Sequence, residues 1–493
     1  MRLLDRFRLR GGVHPPDRKG LSADAPIRRL PVPERLYVSL QQHIGAAASP
    51  VVHVGERVLK GQRIAASQGA ISAPLHAPTS GRIVAIGDHP APHPSGLPVP
   101  TIVIEADGAD RWIDGTPPAD PFALPAEEIA ARVGAAGIVG LGGATFPAAV
   151  KLEVSRKSRV RTLVINGSEC EPYLTCDDRL MRERAADIVT GIRLIQQAVG
   201  AREALVGIEA NKPEAIAAMR AAAGGDLEVV AIPALYPMGW EKQLIRLLTG
   251  REVPAGGRAA DIGVLVHNVA TAYAVQQAVV LGRPLVSRIV TVSGGAVRIP
   301  CNLEVPIGAP VQALIDYCGG VTEPPARWVM GGPMMGHEIP ATHLPVIKGT
   351  SAVLALTAAE IGRPQANPCI RCATCVRACP VGLLPLEMAA RIRVGELNAA
   401  VEIGLKDCIG CGSCSYVCPS HIPLVHYFNY AKGELAAKER ARLKQEATRQ
   451  LAEARTARLE RLAREREEAA RARAARKAAQ EAARAAARAE ATA

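Results

Sequence analysis

Eight cysteines constrain this chain more than any other feature of its 493 residues. Cys369, Cys372, Cys375 and Cys379 precede Pro380, and Cys408, Cys411, Cys414 and Cys418 precede Pro419, so the spacing C-x2-C-x2-C-x3-C-P occurs twice. Three thiolates so spaced wrap three corners of an iron–sulfur cubane from one tight turn, while the fourth begins a helix leading to the neighbouring cluster. The spacing therefore predicts two [4Fe–4S] clusters. Cys369, Cys372, Cys375 and Cys418 would hold one; Cys408, Cys411, Cys414 and Cys379 would hold the other. Structural zinc would need only four of the eight thiols and has no use for the trailing prolines. A disulfide framework fits badly with a chain that lacks a secretory signal. The other four cysteines (Cys170, Cys176, Cys301, Cys318) share no ligand spacing and read as buried or half-buried thiols.

Such clusters move single electrons and make no bonds, so the rest of the chain must explain where the electrons come from. The length suggests about three domains, and 48% hydrophobic against 22% charged residues implies that most of it is globular. Aromatic residues reach only 3%, which argues against a single-stranded nucleic-acid surface built on stacking. Of the net charge of +12, half lies in residues 433–493, which hold 16 Lys and Arg against 10 Asp and Glu. That segment reads as a solvated helix or a partly disordered extension, because Leu435, Leu443, Leu451 and Leu459 recur every eight residues and drift off any heptad seam. The basic first ten residues precede no apolar stretch. Two uncharged windows, 133–150 and 262–282, carry five glycines and a proline in the first and His267, Asn268, Gln276 and Gln277 in the second, so neither reads as a membrane span. The expectation is a soluble or peripherally attached protein.

The chain reads as a multidomain α+β protein. Residues 1–123 hold short β-like runs at 51–55, 82–86 and 101–104 between turn signals, and 55–62 with 76–81 resemble a lipoyl-type barrel-sandwich domain. The hairpin 66–73 has no lysine, so no swinging arm attaches there. Residues 124–284 alternate helical and apolar β patterns, with helices at 127–136, 183–199, 213–223, 241–248 and 269–281 and strands at 162–165, 204–208, 227–232 and 262–266, as expected of a mostly parallel α/β sheet. Residues 285–356 are the size of a β-grasp module, 357–432 form a small helical cluster domain, and 433–493 are the charged tail.

Within the α/β segment, residues 137–147 carry closely spaced glycines that let backbone approach a phosphate or a flat ring. No Gly-Lys-Ser/Thr follows, and Thr145 stands where a dinucleotide fingerprint has its third glycine, so neither a P-loop nor a Rossmann turn is present. Three further patches, 166–172, 236–241 and 267–271, lie at strand ends, where α/β sheets collect ligand groups. Each could also be a cap, with Asn268 capping the helix that follows.

These motifs, with Gly11, Gly12, Val13, His14, Pro15 and Pro16, the run Gly331, Gly332, Pro333, Met334, Met335, Gly336 and the cysteine runs, resemble the RnfC subunit of the Rnf (Rsx) ion-translocating electron transport complex over about residues 7–433. The α/β part is also similar to the flavin- and NADH-binding 51-kDa subunit of respiratory complex I, whose Gly-x-Gly-Gly-x-x-Phe-Pro and Asn-x-x-Glu-x-Glu-Pro motifs contact FMN and NADH. The resemblance implies a non-covalent FMN cradled by Gly140, Gly142, Gly143 and Lys151, with Asn166, Glu169, Asn268 and Thr271 hydrogen-bonding it. It sets Glu171, Tyr236, Gly239 and Glu241 on the nicotinamide side, with Phe146 stacking nearby and Glu171 the one candidate close to the reacting ring. Trp240 and Ala270 depart from the complex I pattern, where Glu stands at both positions. The implied activity is hydride transfer from NADH to FMN, followed by single-electron transfer through the two clusters to membrane subunits and a ferredoxin-like iron–sulfur subunit. The direction is reversible towards ferredoxin, the location is the cytoplasmic face of the bacterial inner membrane, and no nucleic acid is involved. Competing expectations are a soluble flavin reductase of another acceptor, such as a corrinoid, and a non-catalytic iron–sulfur adaptor.

Overall fold

A computed structural model describes residues 10–93, 95–362 and 365–491. The basic stretch 1–9, where the resemblance begins, lies outside the described residues.

The α/β domain is organised by strand Thr162–Gly167, whose sequence TLVING is apolar on both faces and is buried on both. It pairs in parallel with Glu203–Glu209 on one side and Val264–Asn268 on the other, and Glu228–Ile232 completes the four-stranded sheet. Leu163, Ile165, Val206 and Leu265 face one core, shared with helices Ala126–Ala135, Ala185–Val199 and Val269–Leu281. Val164, Val264 and Val266 face another, built on helix Glu241–Thr249. The chain runs outward from the first strand, then crosses back to lay Val264–Asn268 on its other side. The order of strands therefore reverses between Asn166 and Asn268, the position where open α/β sheets leave a ligand crevice. Behind it, helices Ala185–Val199 and Val269–Leu281 touch backbone to backbone at Gly191, where a Cβ would collide with the carbonyl of Ala272.

Two helices were not anticipated from the sequence. Ala148–Lys157 follows the glycine loop directly, its short pattern interrupted by Lys151, Glu153 and Arg156. The expected helix 183–199 is instead two, Cys176–Glu183 and Ala185–Val199, broken at Arg184.

The N-terminal segment forms two small sheets over one core of Val38, Ile64, Leu75, Ile83, Ile102 and Ile104. The β run expected at 51–55 is not a strand; the strand before it is Ser49–Pro50, paired with Ala66 and Ala65. Residues 1–123 are not self-contained, because Arg28–Arg29 joins the distant six-stranded sheet beside Leu303 and Glu304. That sheet, with Cys301–Pro306, Ser287–Ser293, Ala352–Leu356 and Arg327–Met330, forms the module after the α/β domain.

Short helices form the cysteine domain, and its last one, Leu424–Glu490, spans 67 residues without a break at the expected boundary of 432/433. Leu424, Phe428 and Ala431 anchor it in the domain core. The rest is a rod of about 90 Å in which Leu443, Leu451 and Leu459 are exposed. High helix propensity and i,i+4 pairs such as Arg471–Glu467 and Arg442–Glu446 sustain it. Among the described residues, no helix is long and apolar enough to cross a membrane.

Lys348 ties three of these units together. Its Nζ donates to the carbonyl of Gly137 in the α/β domain (2.5 Å) and of Pro74 in the barrel-sandwich (3.1 Å). Burial pushes its ammonium down from 10.5 to about 7. The unfolded chain therefore holds a proton between those values that the folded chain releases. This increment of stability is complete above pH 10.5 and is lost as pH falls towards 7, with a slope approaching about 1.4 kcal/mol per pH unit. Denaturant midpoints followed from about pH 7 to 10 should rise less steeply in Lys348→Met than in the parent protein, whatever the variant's absolute stability.

Candidate functional site

At the reversal of strand order, Asn166 and Asn268 end neighbouring strands and stand opposite each other in register. Asn268 caps the helix Val269–Leu281, its Oδ1 accepting from Ala270 N (2.8 Å), while its Nδ2 donates to Asp177 Oδ2 (2.6 Å). Asn166 donates to the carbonyl of Gly239 (2.7 Å) and accepts from Ser168 N. Over them lies the glycine loop. Gly140 N donates to Phe146 O (2.8 Å), closing the turn, and Gly142 packs so tightly on Asn268 that a Cβ there would sit 2.9 Å from the asparagine Cβ. Gly142, Gly143 and Ala144 are exposed, and Gly143 has φ +136° with no atom within 4 Å of the space a side chain would occupy. That is an open cradle of bare backbone above polar side chains. The buried ring of His267 beneath has no partner for Nε2, and burial, with the Lys151 cation near, keeps it well below the usual imidazole value.

The sequence-predicted residues divide into two groups. Gly140, Gly142, Gly143, Phe146, Lys151, Asn166, Gly239, Glu241 and Asn268 gather around this crevice, where Lys151 Nζ reaches both Val266 O (2.6 Å) and Glu241 Oε2 (3.3 Å). Thr271 and Glu169 lie behind it as supports. The Thr271 hydroxyl accepts from Leu141 N (2.9 Å) and anchors the glycine loop. The Glu169 carboxylate accepts from Asp177 N (2.7 Å) and Asp178 N, capping helix Cys176–Glu183. Burial beside Glu169 raises the Asp177 carboxyl to about 7.

Glu171 and Tyr236 are spent elsewhere. The Glu171 carboxylate, raised to about 7 by burial, accepts from Met334 N (3.0 Å) and Met335 N (2.9 Å) in the Gly331–Gly336 turn. The buried Tyr236 hydroxyl donates to the carbonyl of Cys411 (2.7 Å). Around that bond Val13, Cys170, Met334, Ala378 and Cys411 pack together. The Gly11–Val13 strap crosses between the two sides: Val13 pairs with Tyr236, and Gly12 N donates to Ala378 O (2.9 Å). Gln243 Nε2 donates to Pro380 O (3.0 Å). Cys170, singled out by its place in the Asn166–Glu171 patch, is half-buried behind Gly239, and desolvation pushes its thiol up to about 12.

None of the eight run cysteines is disulfide-bonded. Cys379 lines one cavity with Cys408, Cys411 and Cys414, and those three thiols each feel it electrostatically. The thiol of Cys375 feels Cys418 and Cys372 in the same way, and 367–368 is bonded to Ser420. Cys379 thus lies with the first three cysteines of the second run, and Cys418 lies near Cys375. The two groups differ in exposure: Cys411 and Cys414 are buried, Cys369 and Cys372 exposed.

Four family models match in the order of these units: an RnfC barrel sandwich hybrid domain over 7–109, a Nuo51 FMN-binding domain over 133–277, an SLBB domain over 289–338 and a 4Fe-4S dicluster domain over 363–438. The RnfC subunit of the ion-translocating oxidoreductase complex from Rhodobacter capsulatus is 52% identical over 439 residues, covering 88% of this chain and 85% of that protein. The protein of the same name from Pseudomonas aeruginosa is 50% identical, covering 92% of this chain and 58% of its own length. This chain belongs to the RnfC family. A crystal structure of an NAD+-reducing [NiFe]-hydrogenase in the air-oxidized state matches 64% of this chain and 66% of its own at 19% identity and a TM-score of 0.45. The FMN-binding match contains every crevice residue named above, and the dicluster match contains all eight run cysteines.

Sequence reasoning missed the residues that hold the site loops in place. Lys212 Nζ donates to Ser168 O (2.7 Å) and pairs with Glu209 (3.0 Å), both side chains buried; its place just past strand Glu203–Glu209 was a usable signal. Lys19 Nζ donates to the carbonyls of Glu169 (2.8 Å), Glu171 (3.0 Å) and Leu174 (2.6 Å), and nothing in its local sequence announces this. Arg288 reaches from strand Ser287–Ser293 to Leu141 O (3.1 Å) under the glycine loop. Lys19→Met keeps the apolar stem but orphans one buried and two half-buried carbonyls, a loss of about 3 kcal/mol. Thermal unfolding should move down by several degrees, and hydrogen exchange should quicken in 168–175 ahead of the sheet.

Proposed function

We propose that this chain is the peripheral electron-entry subunit of a membrane-bound ion-translocating oxidoreductase, oxidising NADH at a non-covalent FMN and passing electrons singly through two [4Fe–4S] clusters to partner subunits, reversibly towards ferredoxin. When bound, a flavin accepts an electron pair as hydride and gives electrons up one at a time, and the clusters carry them singly. What this chain contributes is placement. Gly142 and Gly143 offer backbone with no side chain in the way, Asn166 and Asn268 offer amides fixed by Gly239 and Asp177, and Lys151 supplies a cation against developing negative charge.

The observation that carries this reading is the direct docking of one thiol quartet on the crevice domain, through Tyr236 on Cys411 and Gln243 on Pro380. Cys379, Cys408, Cys411 and Cys414 would hold the inner cluster, next to the flavin domain, and Cys369, Cys372, Cys375 and Cys418 the outer one. Basic charge in the tail and the absence of an apolar spanning helix among the described residues fit a peripheral position on the cytoplasmic face of the inner membrane.

Anaerobically purified protein should contain about eight irons per chain and bind FMN whose absorbance NADH bleaches, with cluster EPR signals following. Gly142→Val, which drives a branched side chain into Asn268, should weaken FMN at least about tenfold and abolish NADH-driven cluster reduction while leaving iron content unchanged. Protein that never binds flavin, or clusters that NADH never reduces, would overturn the assignment. Cys418→Ala should remove the EPR signal of the outer cluster, although that residue belongs to the second run. Loss of the inner signal alone would refute the exchange of fourth ligands.

A further inference from the structure

Two cysteines outside the runs meet in the core of the six-stranded module. Cys301 opens strand Cys301–Pro306, Cys318 follows helix Val311–Tyr317, and their sulfurs lie 3.6 Å apart. Both are buried, in one core with Val290, Leu303 and Leu314. The chain around them is already tied side by side, because Ile299 N donates to Cys318 O (3.0 Å) and Arg298 N to Gly320 O (3.1 Å). A disulfide needs its sulfurs at about 2.0 Å, so side-chain rotation closes the gap while the backbone stays paired. The cover over the pair is thin: exposed Ile299 lies two residues before Cys301, and exposed Tyr317 and Gly319 flank Cys318. The two thiols are also unequal. The hydrogen bond from Cys318, and then the Arg28 cation, draw the Cys301 thiol down, while the same bond and burial push that of Cys318 up.

We propose that Cys301 and Cys318 form a reversible thiol–disulfide site, oxidised by hydrogen peroxide, whose bond pins the end of helix Val311–Tyr317 to the six-stranded sheet. The site is independent of the electron-transfer reading above. Cys301 is the attacking sulfur and Cys318 the resolving one, the arrangement in which a thiolate stands beside a second thiol. The Cys301 thiolate attacks one peroxide oxygen and the O–O bond breaks, leaving a sulfenic acid and a hydroxide that takes up the thiol proton. Cys318 sulfur then displaces the sulfenic hydroxyl, which leaves with the second thiol proton as water, and the S–S bond forms. The pair loses two electrons and two protons, and one hydrogen peroxide becomes two waters. Thiol–disulfide exchange with a small dithiol reverses the change.

The test treats the complete, cluster-loaded protein anaerobically with a few equivalents of hydrogen peroxide, then denatures, alkylates and digests it with trypsin. Cys301 and Cys318 fall in one tryptic peptide, 299–327, which holds no other cysteine, so thiols freed by damaged clusters map elsewhere. That peptide should appear about 2 Da lighter than its dithiol form and take alkyl label only after reduction. Its thiols should be lost about tenfold faster than that of Cys176, a buried cysteine in the α/β domain. Cys318→Ser should leave Cys301 as a sulfenic acid that a cyclic dione captures, whereas Cys301→Ser should leave Cys318 uncaptured. Hydrogen exchange over 311–320 should slow in the oxidised parent protein but not in Cys318→Ser treated alike. Two alkylatable thiols persisting in the parent peptide after Cys176 has been oxidised, or either cysteine bonded to one outside the peptide, would overturn the proposal. The parent map needs no variant, so it decides the matter even where a serine substitution prevents folding.

Discussion

Irregular backbone inside a protein must find hydrogen-bond donors that no helix or sheet supplies, and here three buried lysines provide them. Lys19 satisfies three carbonyls of the loop after the first parallel strand, Lys212 satisfies a fourth, and Lys348 closes the entry to the glycine loop. Burying an ammonium is costly, and burial depresses the pKa of Lys19 and Lys348 accordingly. The loop from Ser168 to Thr175 needs such support because Glu169 and Tyr173 both adopt left-handed backbone, φ 50° and 68°, which no regular element would hold.

From that clamp a chain of single hydrogen bonds runs to the crevice. Lys19 fixes the backbone of Glu169, the Glu169 carboxylate fixes Asp177 by capping its helix, Asp177 fixes the amide of Asn268, and Asn268 is the surface on which Gly142 packs. Several acidic residues that look like ligand contacts are thus better understood as supports. Their carboxylates face backbone N–H groups and neighbouring side chains, leaving the bare backbone of Gly142 and Gly143 as the open surface.

The chemistry is legible in the sequence where spacing alone encodes it. Two cysteine runs announce the dicluster domain, because the x2 and x3 intervals act within one turn. The parallel sheet was also visible, since TLVING and its partners are too short and too continuously apolar to be amphipathic helices. Its reversal at Asn166 and Asn268 was not, because strand order is a long-range property with no local pattern. Helix Cys176–Glu183 escaped notice because its cap is the side chain of Glu169, upstream of the residues that form it. Glu171 and Tyr236 show the limit of motif reasoning: the motif fixes where they sit, but only the fold shows that they point at Met334, Met335 and Cys411.

That orientation bears on how the two halves work together. Arg28–Arg29 and Lys348 already weave the N-terminal segment, the α/β domain and the six-stranded module into one body. The cysteine domain joins it through the Tyr236 hydroxyl, the Gln243 amide and the Gly11–Val13 strap, all converging within a few residues of Cys379 and Cys411. Gly11 packs on the carbonyl of Cys379 so closely that no side chain would fit, and a Cβ at Gly412 would sit 3.2 Å from Met334 O. A domain held by glycine-to-backbone contact at its ligand loops cannot swing without breaking the loops themselves. The distance from the crevice to the inner thiols is therefore set by the fold.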